Sequence, residues 1–198
     1  MAPMRDLPLS FFDGLELKIT LRHIEPAIWR GLRVPARLSL AQIHDVLQVA
    51  FGWTNSHLHD FTVGDIRFGM ADTEDEIFLV DERAAPLGAI AEVGSTFLYR
   101  YDFGDDWEHD VIVERAVRDS ETEIFCIAGA RACPPEDSGG PPGYEQLLAT
   151  LSDPEHEEFQ DVKRWVGRRF DPERFDLPAV NKKLATLAKR FAPRPSRS

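Results

Sequence analysis

The sequence predicts an α+β fold with a mixed or antiparallel sheet and a helical C-terminal part. Apolar residues alternate with polar ones in the first 35 residues and again around residue 100, as in half-buried strands. Helical spacing of apolar residues appears between these regions and returns after residue 143. These changes divide the chain into an arm at 1–14, one domain at 15–192 and a tail at 193–198, with an α+β part at 15–128 and a helical part at 143–192.

The first third of the chain predicts strand, strand, helix and strand in that order. The elements are strands at 15–22 and 27–34, a helix at 39–51, and two short strands within 57–69. Ser39 and Gln42 form a capping-box pair before the helix, and Gly52 is suited to end it. Because this order is typical of the β-grasp arrangement, we expect a β-grasp-like start.

The remaining elements are a second hairpin, a short strand and the C-terminal helices. They are strands at 96–103, 107–117 and 124–127, and helices that begin near Tyr144, follow Asp153-Pro154 and end near Phe191. The acidic stretch within 70–95 predicts a solvated loop. Residues 129–143 are rich in glycine and proline, which predicts a long structured loop or a linker.

The charge of the chain is concentrated in its middle third. The sequence has 34 acidic and 23 basic residues, a formal net charge of −11, and residues 61–125 hold 17 acids against 5 bases. This segment is unsuited to nucleic acid, because phosphate binding needs a basic surface. Residues 182–197 hold six bases and no acid, so weak nucleic-acid contact is open only to the C-terminal tail.

The sequence also bears on the compartment. No run approaches about 18 consecutive apolar residues, and the first residues lack the apolar core of a secretion signal. The two cysteines, Cys126 and Cys133, are too few for a disulfide scaffold. We therefore expect a cytoplasmic protein with reduced thiols and no membrane partner.

A His-x-His pair, His57 and His59, follows the predicted helix. On a strand over 57–61, the two imidazoles and Phe61 would share one face. Two such nitrogens can ligate one metal ion. The alternative interpretation is a polar strand start that packs beside Trp53.

Five carboxylates lie within residues 102–110, around the predicted hairpin turn. With a loop of 104–107, Asp102 would face His109 across the hairpin, and a carboxylate raises the pKa of a neighbouring imidazole. So many acids would repel one another unless a cation were nearby. This predicts Asp102, Asp105 and His109 as metal ligands. The alternative is an ordinary turn whose Asp side chains cap backbone N–H groups.

Residues 132–144 combine a stiff and a permissive backbone. The proline pair restricts the chain, and the glycine pair allows a sharp bend. This combination can hold Glu136 and Asp137 in one place. The alternative is a turn that only initiates the helix at Tyr144.

Together these segments resemble the plasmid pRiA4b ORF-3-like family over roughly residues 15–185. The shared motifs are PAIWR at 26–30, the segment 40–53 with His44, SHLHDF at 56–61, YDFGD at 101–105, WEH at 107–109, CPPED at 133–137 with Gly139-Gly140, and Gly143-Tyr144. The resemblance implies an α+β domain of bacteria and archaea, often encoded on plasmids or carried by insertion elements. It implies no settled activity, and the sequence has no recombinase motif to support the resolvase-like name of some members.

We interpret the chain as an accessory module that binds a small ligand or a divalent metal ion at a His/carboxylate site. The metal-ligand candidates are His57, His59, Asp102, Asp105 and His109. The ligand-binding candidates are His44, Trp53, Tyr101, Trp107, Glu136 and Asp137. One alternative is a metal-dependent hydrolase, with phosphodiesters as one candidate substrate class and His109 or Glu136 in proton transfer. The other is a protein-interaction module without a catalytic site. Across these interpretations, the expected partner is a small ligand or a protein.

Overall fold

The structure, a computed structural model, describes residues 13–70, 79–118 and 123–191. The strands are β1 Gly14–Leu21, β2 Trp29–Pro35, β3 His59–Val63, β4 Ile66–Gly69, β5 Val80–Asp81, β6 Thr96–Tyr101, β7 Trp107–Val117 and β8 Phe125–Ala130. They form one sheet in the order β5-β4-β3-β6-β7-β1-β2-β8. Neighbouring strands are antiparallel except β4 and β5, which are parallel.

The helices connect and cover the sheet. Their bounds are α1 Leu40–Phe51, α2 Leu87–Ile90, α3 Gly140–Ser152, α4 Phe159–Val166 and α5 Leu177–Phe191, with a 3-10 turn at Glu82–Ala84. Helix α1 begins with the predicted capping box of Ser39 and Gln42 and ends at Gly52, whose φ is 93°. Helix α5 packs against α1 and β8. No helix in the described ranges is long and apolar enough to cross a bilayer.

The sheet has an apolar face and a charged face, as the alternation of residues predicts. On β1, Leu15, Leu17, Ile19 and Leu21 are buried in the core. The other face carries ion pairs between neighbouring strands. These are Glu16 with Arg33 and Arg115, Arg22 with Glu108 and Asp110, and Asp60 with Arg67 and Arg100.

The predicted α+β class is confirmed, with its strand–strand–helix start and its helical C-terminal segment. Strand β3 begins at His59, two residues later than predicted, and α3 begins at Gly140, inside the predicted loop. The described part of 70–95 contains β5, the 3-10 turn and α2, although a solvated loop was expected. The acids at 72–76, most of the N-terminal arm and the tail at 193–198 lie outside the described residues.

Candidate functional site

Three loops meet at one end of β3 and β6. The strands pair so that His59, the first residue of β3, lies opposite Tyr101, the last residue of β6. The loop before β3 (residues 53–58) and the β6–β7 turn (residues 102–106) therefore lie side by side. The Asp102 N–H donates to the Leu58 carbonyl at 2.9 Å.

The third loop, residues 131–139 between β8 and α3, is held against the other two. The Trp53 indole N–H donates to the Pro134 carbonyl at 3.1 Å, and the Gly139 N–H donates to Asp105 Oδ2 at 3.0 Å. Gly140 has a φ of 68°, and a Cβ there would collide with the Asp105 carbonyl oxygen. The contact therefore requires glycine, because only a residue without a side chain lets the two backbones approach so closely.

The docked loops bring one imidazole and three carboxylates together. The Nε2 atom of His57 lies 3.1 Å from Asp137 Oδ1, 3.5 Å from Asp102 Oδ2 and 4.0 Å from Glu136 Oε2. Ligand atoms of His57, Asp102 and Asp137 all lie within 4.8 Å of one another. His57 Nε2 is buried and makes no hydrogen bond of adequate geometry.

The two aspartates adopt backbone conformations that aim them at His57. Asp102 and Asp137 have φ values of 57° and 55°, in the left-handed region that Asp adopts more readily than most residues. Asp102 Oδ1 accepts hydrogen bonds from the Gly104 and Asp105 N–H groups at 3.0 and 3.3 Å. These bonds fix the carboxylate and direct Oδ2 toward the imidazole.

Glu136 is anchored beside the cluster. Its Oε1 accepts from the Thr54 N–H at 2.7 Å and from the Thr54 hydroxyl at 3.0 Å. The Tyr101 hydroxyl donates to both carboxylate oxygens, at 3.1 and 3.3 Å, and accepts from the Ser56 N–H. Burial, with Glu136 contributing, raises the pKa of Tyr101 to about 12, so this phenol remains a donor at neutral pH.

His44 belongs to a closed ring of hydrogen bonds. The side-chain oxygen Oδ1 of Asn55 can only accept, so Nε2 of His44 carries the proton and donates to it at 2.7 Å. Nδ1 then accepts from the Tyr99 hydroxyl at 2.8 Å, and Gln48 joins Tyr99 to the Asn55 N–H. Burial, followed by the charge of His59, lowers the pKa of His44 to about 3. His44 is therefore a neutral structural group.

His59 pairs with a residue that the sequence did not single out. Its Nε2 lies 2.9 Å from Glu82 Oε2, and both side chains are buried. The His59 ring also stacks on His44, with centroids 3.4 Å apart and planes 3° apart. Glu82 belongs to the stretch predicted as a solvated loop, and this contact spans 23 residues. No local pattern could have identified it.

His109 lies in the core and not beside the carboxylates. The register places it opposite Tyr99, so the predicted pairing of Asp102 with His109 is wrong. Its Nδ1 donates to the Tyr99 carbonyl at 3.3 Å, and its ring meets Phe51 and Trp53 edge-on. Burial lowers the pKa of His109 to about 3, whereas a neighbouring carboxylate would have raised it.

The five acids of residues 102–110 likewise do not surround His109. Glu108 and Asp110 point to the charged face of the sheet and bind Arg22. Asp106 lies 3.7 Å from an Arg100 nitrogen. Only Asp102 of these five joins His57. Glu108 and Asp110 face away from His109, because alternate residues of β7 face opposite sides of the sheet.

Of the predicted residues, the loops thus bring together His57, Asp102, Tyr101, Glu136 and Asp137. Asp105 and Trp53 hold the third loop, and Trp107 is fully buried opposite Tyr101. Within the described part of the chain, His59, Asp105 and His109 belong to no group of three possible metal ligands. Thr54, which anchors Glu136, was not predicted, although it lies only three residues before His57.

A cleft of about 770 Å³ lies beside the cluster. His57 and Asp102 form part of its wall, together with His44, His59 and Glu82. The volume falls within the usual range for small-molecule sites, about 300–1,000 Å³. The arrangement therefore combines a set of metal-type ligands with space for a further molecule.

Comparison with known proteins identifies the family of this domain. Residues 13–179 match the plasmid pRiA4b ORF-3-like protein family. The chain belongs to this family. It is 40% identical over 182 residues to the uncharacterized protein y4hQ of Sinorhizobium fredii, covering 90% of this chain and 94% of that protein.

A solved structure is similar to this chain. The crystal structure of MM3350, a protein of unknown function from Methanosarcina mazei Go1, is 37% identical to the chain with a TM-score of 0.77. The match covers 85% of this chain and 97% of that one. The three loops lie within the matched residues 13–179, so the cluster belongs to the family domain of this chain.

Proposed function

We propose that the protein binds a divalent transition-metal ion between His57, Asp102 and Asp137. The observation that carries this proposal is the buried, unbonded Nε2 of His57, which lies 3.1 and 3.5 Å from carboxylate oxygens of the two aspartates. Two ligand atoms about 2.1 Å from one ion are about 3.0 Å apart at a right angle and about 3.4 Å apart at a tetrahedral angle. The two distances from His57 Nε2 therefore match those between ligands that share one ion.

The ligand types indicate which ion is favoured. Imidazole nitrogen suits zinc, iron and similar ions, whereas magnesium and calcium prefer sites made only of oxygen. One imidazole and two carboxylates therefore favour Zn²⁺, Mn²⁺ or Fe²⁺. A cation would also relieve the repulsion among Asp102, Asp137 and Glu136.

A metal-dependent hydrolase is the second candidate, and the adjoining cleft favours it. Three protein ligands leave at least one coordination position for water or substrate, as in catalytic zinc sites. Glu136, 4.0 Å from His57 Nε2, is the carboxylate available for proton transfer. His109 is not available for this role, because it is fully buried away from the cleft.

Titration calorimetry with Zn²⁺, Mn²⁺ and Mg²⁺ on the metal-stripped protein tests the proposal. We expect one ion per chain, with Zn²⁺ or Mn²⁺ bound more tightly than Mg²⁺. The variants His57→Ala and Asp137→Asn should each weaken binding at least about tenfold, the loss that even outer-shell substitutions cause. Asp137 is 75% exposed, so its replacement leaves the fold intact.

His23→Ala is the matched control. His23 also faces a carboxylate, with Nε2 3.7 Å from Glu108, but it lies outside the cluster and is 68% exposed. Its replacement should leave ion affinity unchanged. A folded parent protein that binds no ion, or variants at His57 and Asp137 that bind as tightly as the parent, would contradict the proposal.

A further inference from the structure

The cleft beside the cluster has a positive charge on its wall. Arg83, in the 3-10 turn, lines the cleft and is exposed. Its backbone N–H binds Asp81, but its guanidinium has no carboxylate partner among the residues that the structure describes. Arg22, Arg33 and Arg100, by contrast, each pair with an acid.

The acids of the same wall are largely engaged. Glu82 pairs with His59, and Asp102 is a ligand of the proposed ion. Asp45 is the remaining acid among the described residues that line the cleft, and burial raises its pKa. With a divalent ion in place, the ion and Arg83 are the positive groups that this described part of the lining offers to a ligand.

Three large apolar side chains also line the cleft. They are Leu58, Met70 and Phe103, and their exposed fractions are 58%, 46% and 45%. Large apolar side chains that remain exposed around a cleft are typical of ligand sites. The lining of the cleft thus includes a cationic side chain and several exposed apolar ones.

We propose that the cleft binds a small organic molecule with an oxyanion at one end and an apolar group at the other. This inference rests on the proposed metal site. A carboxylate or phosphate-type oxygen completes the coordination of the ion and pairs with Arg83, because guanidinium and oxyanion make strong charge-assisted hydrogen bonds. The apolar group packs on Phe103, Leu58 and Met70.

The test uses phenylphosphonate as the probe, titrated into the protein loaded with its preferred ion. Methylphosphonate lacks the ring, and benzyl alcohol lacks the oxyanion. We expect phenylphosphonate to bind at least about tenfold more tightly than either, a difference of about 1.4 kcal/mol. Benzoate as a further probe decides whether a carboxylate or a phosphorus oxyanion is preferred.

Variants at two exposed positions test where phenylphosphonate binds. Arg83→Gln and Phe103→Ala should each weaken phenylphosphonate binding, by about tenfold and about threefold, and leave the ion affinity unchanged. Arg37→Gln and Trp165→Ala are the matched controls, because both residues are exposed and neither lines the cleft. The controls should bind phenylphosphonate like the parent.

The outcomes separate this inference from the proposed function. An ion-loaded protein that fails to bind phenylphosphonate at about 1 mM would overturn the cleft ligand and leave the metal site standing. So would equal binding by Arg83→Gln, Phe103→Ala and the parent. A protein that binds no ion would instead overturn the metal site, and the cleft ligand with it.

Discussion

The loop cluster around His57 and the core around His109 use the same side chain in opposite ways. His57 is 29% exposed and has three carboxylates within 4.0 Å of its Nε2. His109 is fully buried, and its ring contacts the aromatic rings of Phe51 and Trp53 and the Tyr99 carbonyl. One imidazole therefore faces a set of anions, whereas the other serves as a packing element of the sheet.

The difference shows that charged neighbours and exposure, not residue type, distinguish a histidine suited to bind an ion from one that packs in the core. Burial favours the neutral ring and is the largest cause of the low pKa of His109, although Asp110 acts in the opposite direction. A metal ion needs further ligand atoms beside the ring nitrogen that binds it. His57 Nε2 has three carboxylates beside it, whereas the equally buried and unbonded Nε2 of His109 has none within 4.0 Å among the described residues.

Replacing His109 should have the largest effect on stability. His109→Ala removes a ring packed against Phe51 and Trp53 and leaves a cavity, so we expect a loss of about 3 kcal/mol in the free energy of unfolding at pH 7. Urea denaturation measures this loss. The ion affinity of the folded fraction should not change, whereas His57→Ala should show the reverse pattern. A His109→Ala protein that is as stable as the parent would remove the basis of the comparison.

Replacing Gly140 should lower both the stability of the fold and the affinity for the ion. Gly140→Ala forces a Cβ against the Asp105 carbonyl at a left-handed φ, so we expect a loss of about 2 kcal/mol in stability and a weaker ion affinity as Asp137 moves. Denaturation and calorimetry measure the two effects.

Gly94→Ala is the control for Gly140→Ala. Gly94 has a φ of 89°, but a Cβ there meets nothing within 4 Å. This variant should lose only about 1 kcal/mol in the free energy of unfolding, from the strained backbone of an alanine at positive φ, and bind the ion like the parent. If Gly140→Ala also kept the parent's ion affinity, the docking of the third loop would not be what positions Asp137.

Local features of the sequence predicted the parts of the site that depend on local chemistry. The capping box of Ser39 defined α1, and the proline and glycine pairs marked the loop that carries Glu136 and Asp137. Both signals act over a few residues, through side-chain caps and restricted backbone angles. They could be read without knowledge of the fold.

The sequence could not reveal the contacts that depend on strand register. A loop of 102–106, with Asp102 and Asp106 at positive φ, places Trp107 opposite Tyr101 and so moves His109 away from Asp102. Changing the register by one residue exchanges the two faces of a strand. The partner of His59 was hidden for a related reason, because only the folded sheet brings Glu82 to it.

The smallest expected effect is a pH dependence that sharpens the contrast between buried and exposed histidines. The pKa of His109 is about 3 in the fold and about 6.5 in an unfolded chain, so the unfolded state binds more protons between these values. The contribution of His109 to the free energy of unfolding should therefore be fully present above pH 6.5. Below pH 6.5 it should fall by about 1.4 kcal/mol per pH unit.

The variant His109→Ala isolates this contribution, because it removes the titrating group. Its destabilisation relative to the parent should shrink from about 3 kcal/mol at pH 7 to about 1.6 kcal/mol at pH 5.5, as measured by urea denaturation at both pH values. Leu47→Ala truncates an equally buried side chain that does not titrate, so its destabilisation should stay constant with pH. A destabilisation by His109→Ala that grows as the pH falls would mean that the folded state holds this ring protonated, and His109 would then need an anionic partner in the core.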